Sequence, residues 1–209
     1  MSQDAIFPLF PSMTLPVTSL DGLLRLLDTR SFASLWFWLA LAVIWSLATR
    51  SVIGVPGEVV SAARRAPGGT DTPATETPEG LLLLDWLSLT LPRWRIGRTE
   101  GAVLAGVATF LLVSLGVLGF GYGLEMAQAL VLIGAPLALL TVMRLHLAHR
   151  LAPLLAEATH GALPAAEAGA RAARMMTRHR LAVSALSILA VAVAAAWGTL
   201  WNLMHPNGL

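Results

Sequence analysis

Three arginines, Arg171, Arg174 and Arg178, fall at i, i+3 and i+7 of a segment that reads as helix from Ala165 onward, directly after Pro164. That spacing places them on one helical face. A guanidinium presents five N–H donors in a rigid fork matched to carboxylate and phosphate oxygens. Three in a row therefore make a docking face for an acidic protein partner or for anionic membrane lipids. The alternative is topology alone, because arginines collect on the cytoplasmic flank of a membrane span and snorkel there. Glu167 precedes Arg171 by four residues, the favourable order for a surface ion pair.

His146 and His149 lie three apart, and His160 and His179 occur in the same connection. Helical histidines at that spacing can share a metal. No cysteine or nearby carboxylate completes a ligand set, so no metal or cofactor is expected. Glu125 opens an apolar stretch. An intramembrane acid can relay protons, but at a helix N-terminus the macrodipole accounts for a carboxylate, contributing about 0.3–1 kcal/mol. Capping is the expected role, with Glu125→Gln leaving function nearly intact.

Other chemistry is excluded by composition. The chain has no cysteine and no lysine, and all 14 cationic side chains are arginine. Thiolate metal sites, cysteine-ligated clusters and lysine-based Schiff-base or phosphate-loop chemistry are therefore unavailable. No paired carboxylates and no nucleophile–base pair stand out, and the expected protein is not an enzyme. A net charge of +2 with no clustered soluble basic domain gives no reason to expect nucleic-acid binding.

The elements that carry these residues are membrane spans. Of 209 residues 56% are hydrophobic and 12% charged, with mean hydropathy +0.71, about half the charged fraction of a soluble domain. Four stretches approximate the roughly 20 apolar residues that a bilayer requires: 31–49, 101–122, 126–143 and 181–203. The expected fold is all-α and polytopic, with four transmembrane helices in a single membrane domain. Interfacial amphipathic helices are expected at 20–27 and 81–94, and a Pro-, Gly- and Thr-rich flexible linker at 66–80. The N-terminus lacks the charged start and continuous apolar run of a cleaved signal peptide.

Twelve of the 14 arginines fall in two connections, 50–100 and 144–180. The positive-inside rule makes both cytoplasmic and both termini periplasmic. Phe32, Trp36, Phe120, Tyr122, Trp197 and Trp201 then read as outer interface anchors, and Trp45, Trp86 and Trp94 as inner ones. Pro136 should kink the third span. In the fourth, Ala190, Ala194 and Gly198 form a small-residue stripe for close helix packing, within the chain or with another subunit.

Six stretches carry a resemblance. They are Leu27-Asp28-Thr29-Arg30-Ser31-Phe32-Ala33-Ser34-Leu35-Trp36-Phe37-Trp38, Val52-Ile53-Gly54-Val55-Pro56, Gly119-Phe120-Gly121-Tyr122, Met126-Ala127-Gln128-Ala129-Leu130, Thr177-Arg178-His179-Arg180 and Ala196-Trp197-Gly198. The chain resembles a family of integral membrane proteins from alphaproteobacteria of the Rhodobacter–Paracoccus kind, labelled "component of SufBCD complex". The resemblance spans most of the chain apart from the Pro-rich N-terminus and 66–91. It implies a bacterial inner-membrane location and a link to iron–sulfur cluster assembly, and it brings no catalytic motif. A chain without cysteine is not the scaffold that ligates a cluster, so the implied role is recruitment. The leading expectation is a non-enzymatic accessory or scaffold subunit. The competing one is a small transporter or lipid-handling protein, motivated by Pro136, Glu125 and the glycines of the second span.

Overall fold

The computed structural model describes residues 31–65 and 78–205, and 87% of these are helical. The expected linker falls mostly outside the described residues, at 66–77, as does the expected surface helix at 20–27.

Helix α1 is Leu35–Arg50, started by the Ser34 hydroxyl, which accepts from the Trp36 N–H at 3.2 Å. The chain then turns through a two-stranded hairpin, β1 Ser51–Val52 and β2 Val55–Pro56, with Ser51 opposite Pro56 and Val52 opposite Val55. Both turn residues have positive φ, Ile53 at 54° and Gly54 at 86°, as a two-residue hairpin turn demands. Glycine takes that conformation freely, whereas a β-branched residue resists it at a cost of about 1–2 kcal/mol. Ile53 is only 1% exposed, and burying its side chain contributes about 1.5–3 kcal/mol. Burial wins, and the hairpin is held from within.

Helix α2 is Gly57–Arg65. Helix α3, Pro78–Thr90, opens on a proline, whose fixed φ suits the first helical position. It tightens into a 3₁₀ turn at Leu91–Trp94 around Pro92. Helix α4 is Arg98–Gly116, with the Glu100 carboxylate accepting from the Gly97 N–H. It widens into a π-turn at Val117–Gly121. Helices α5, Glu125–Thr159, and α6, Ala165–Met204, complete the chain. Their connection turns at Gly161, φ 72°, with the Ala162 and Leu163 N–H groups closing on the Glu157 carbonyl.

Three helical stretches are long and apolar enough to cross a membrane: Arg98–Gly121, Glu125–Thr159 and Ala165–Met204. The first expected span, 31–49, contains a shorter helix, the 16 residues of α1, preceded by a turn at Ser31–Ser34. With 35 and 40 residues, α5 and α6 extend about 52 and 60 Å at 1.5 Å per residue. Each outruns a hydrocarbon core about 30 Å thick. The connection 144–180 is thus mostly the continuation of two helices rather than a loop. Pro136 and Pro153 both lie inside α5, which continues through them.

Two apolar cores result. One joins α1 to α5 and α6 through Phe37, Leu41, Trp45, Leu140, Val183, Ala190 and Ala194. The other gathers the hairpin, α2, α3 and the arginine-rich ends of α5 and α6 around Ile53, Val60, Leu83, Leu87, Leu151 and Met176. Helix α3 is therefore not simply an interfacial helix lying on lipid. Leu83, Leu84 and Leu87 face protein, while Leu82 and Leu89 remain exposed. The tryptophan expectation needs a similar correction: Trp45 is buried between helices rather than anchored at an interface, whereas Trp36 is 77% exposed.

Candidate functional site

Ala168, Ala172, Ala173 and Met176 are fully buried along one side of α6, which turns the opposite side outward. Arg171, Arg174 and Arg178 are all exposed on that outer side, in the single-faced arrangement their spacing predicts. With Leu154 and Met175 they line a shallow groove of about 280 Å³. Arg171 pairs with Glu167 at 2.6 Å, both side chains half-exposed, an interaction of about 0–1 kcal/mol. It is the one ion pair among the described residues, so Arg174 and Arg178 present their charge without a carboxylate partner there.

The small-residue stripe is spent within the chain. Ala190 is 6% and Ala194 0% exposed, both in the core shared with α1 and α5. A Cβ on Gly198 would stand 3.2 Å from the Phe32 ring. The stripe exists so that α1 and the Phe32 turn can lie close to α6, and it is not a surface for another subunit.

At the end of the bundle away from the arginines, polar groups tie the helices together. Glu125 is buried, and its carboxylate accepts from the Phe32 N–H and from Trp201 Nε1. The helix cap is Leu124, so Glu125 does more than answer the dipole. Gln128, 1% exposed, donates to the Gly119 carbonyl at 2.8 Å and accepts from Trp197 Nε1 at 2.9 Å. A Cβ on Gly119 would lie 2.7 Å from the Gln128 backbone nitrogen, so only glycine permits this approach of the π-turn to α5. Trp197 and Trp201, read from sequence as lipid anchors, are internal donors.

A second constellation is one that the sequence reading missed. The end of α1, the start of the hairpin and α6 enclose a cavity of about 210 Å³ lined by Thr49, Ser51, His179, Arg180 and Ser184 among others. Arg180 Nη1 donates to the Gly57 carbonyl at 3.1 Å, and the guanidinium lies flat over Gly57, where a Cβ would meet three of its atoms at 3.1 Å. Arg144, from α5, donates through Nη2 to the Ala48 carbonyl at 2.8 Å in the same wall. His179 is 8% exposed, and its Nε2 has no hydrogen-bond partner, nor has Arg144 Nε. Burial, then the Arg144 charge, hold the His179 imidazole below its ordinary pKa. Burial also lowers that of Arg144. Both residues lie beyond the charge-free stretches 126–143 and 181–203. The cavity is thus cationic and polar. The adjacency of Arg180 and the hairpin follows only from the fold.

His146 and His149 are exposed, and His149 Nδ1 bonds the Leu145 carbonyl at 2.7 Å. Among the described residues no three His, Asp or Glu side chains gather as a metal site. No family model, curated protein or solved structure matches the chain.

Proposed function

We propose that the chain is a non-enzymatic accessory subunit of a bacterial inner membrane that recruits a cytoplasmic partner. It crosses the bilayer four times, at 31–49, 101–122, 126–143 and 181–203, with both termini periplasmic. Twelve of 14 arginines lie in the two connections, and parts of both connections pack into one core, which supports a common side. The first crossing is short, and the turn through Phe32 lengthens it.

The observation that carries the recruiting role is the outward face of Arg171, Arg174 and Arg178, with one carboxylate among three guanidiniums. Its complement is an acidic protein surface. The resemblance noted from sequence makes the iron–sulfur assembly machinery the first partner to try. Charge-assisted contacts contribute about 1.5–3 kcal/mol each, so losing two detaches the partner. The test is co-purification with an Arg171→Ala, Arg174→Ala double variant at matched membrane levels and at two salt concentrations. Loss of a stoichiometric, salt-sensitive partner is expected. Undiminished, salt-insensitive co-purification would reduce the stripe to a topological signal.

A further inference from the structure

The cavity between α1, the hairpin and α6 has the composition of an anion site. Its wall carries a whole guanidinium, that of Arg180, with one Nη1 contact made to the Gly57 carbonyl and further N–H donors left over. It carries a nine-tenths-buried imidazole whose Nε2 meets no partner. Ser51 and Ser184 add rotatable hydroxyls, and Arg144 raises the local positive potential from the Ala48 side of the wall. Among the described residues neither Arg144 nor Arg180 has a carboxylate within 4 Å. The orphaned Nε2 is itself sealed from solvent, so the groups that call for a ligand or for water are the spare Arg180 donors and the serine hydroxyls. A volume of about 210 Å³ exceeds the roughly 30 Å³ share of a single water several-fold and accommodates a tetrahedral oxyanion with its nearest waters.

Placement narrows the ligand. The lining residues straddle the boundary between the charge-free stretch 181–203 and the arginines that precede it. In a membrane protein that is the depth of the phosphate groups, and basic pockets between helices there take phospholipid headgroups. We propose that the cavity binds a phosphoryl group, held by Arg180 beside the His179 ring, with Ser51 and Ser184 at its margin. The phosphoryl is either the phosphodiester of an anionic phospholipid or free phosphate. The site is separate from the exposed face of Arg171, Arg174 and Arg178, so it stands or falls independently of partner recruitment.

The full chain is placed in nanodiscs of phosphatidylcholine, with and without phosphatidylglycerol, and its thermal midpoint is followed by tryptophan fluorescence. Inorganic phosphate is titrated into the pure phosphatidylcholine discs against chloride at equal ionic strength. Arg180→Gln removes the charge. Ser184→Glu, at an exposed position, puts a carboxylate at the mouth and leaves every cation and the packing in place. Saturable stabilisation by phosphatidylglycerol alone assigns the headgroup, and stabilisation by phosphate in phosphatidylcholine assigns the free ion. In both cases each variant should weaken the apparent affinity tenfold or more. No saturable shift with either probe, or an equal shift in wild type and both variants, overturns the proposal and leaves a water-filled cavity.

Discussion

Glu125 shows how a residue's type can be legible while its work is not. Its place at a helix start predicts a modest dipole contribution. Buried, with two N–H donors from Phe32 and Trp201 converging on it, it joins three parts of the chain. Glutamine offers one carbonyl oxygen and must aim its own N–H₂ at the second donor, leaving a buried donor unsatisfied at a cost of about 1–3 kcal/mol. Glu125→Gln should therefore lower the thermal midpoint in detergent by several degrees, with α-helicity retained below it. An unchanged midpoint would return Glu125 to the role of a simple cap. The arginine stripe was fully legible, because i, i+3, i+7 spacing is a property of one helix. The Arg180–Gly57 and Arg144–Ala48 contacts were not, since they join positions 123 and 96 residues apart that no local pattern relates.

Among the elements, charge did not mark the ends of the helices. In the proposed topology Arg144 and Arg180 mark where hydrocarbon gives way to water, yet the backbone ladder runs through both. In α6 the reason is a continuous inward face. Ala168, Ala172, Met176, Val183, Ala190 and Ala194 are all buried, at spacings of four and seven that keep one side of a helix facing its neighbours. Gly169 lies on this inner side, and there α3 comes so close that a Cβ would stand 3.0 Å from Gly80 Cα and 3.1 Å from its carbonyl oxygen. Backbone cannot step aside as a flexible side chain can. Gly169→Ala should cost about 1–3 kcal/mol. Gly106→Ala in α4, with nothing within 4 Å of the new methyl, should cost nothing. Thermal unfolding of the two variants side by side checks this, and equal midpoints would deny the α3–α6 contact. The two-residue strands escaped the sequence reading for a different reason. They are too short for periodicity to register, and one turn residue, Ile53, goes against its own preference.

At the scale of the molecule, the apolar content predicted the all-α build and the membrane-crossing helices. The second core was hidden, because its parts read separately as two cytoplasmic connections and a surface helix. It unites both arginine-rich connections in one body, and that union is the physical basis of the proposed orientation. If the two connections share a core, they share a side of the membrane, and the positive-inside rule makes that side cytoplasmic. The native chain has no cysteine, so single cysteines report location without background. Ser88, Tyr122 and Ala162 are exposed positions in the first connection, the α4–α5 turn and the second connection. The decisive measurement is labelling of Ser88→Cys, Tyr122→Cys and Ala162→Cys variants by a membrane-impermeant maleimide in spheroplasts, before and after permeabilisation. The account predicts that Tyr122→Cys reacts in intact spheroplasts, whereas Ser88→Cys and Ala162→Cys react only once the membrane is opened. Labelling of Ser88→Cys or Ala162→Cys from outside, or of the two from opposite sides, would contradict it.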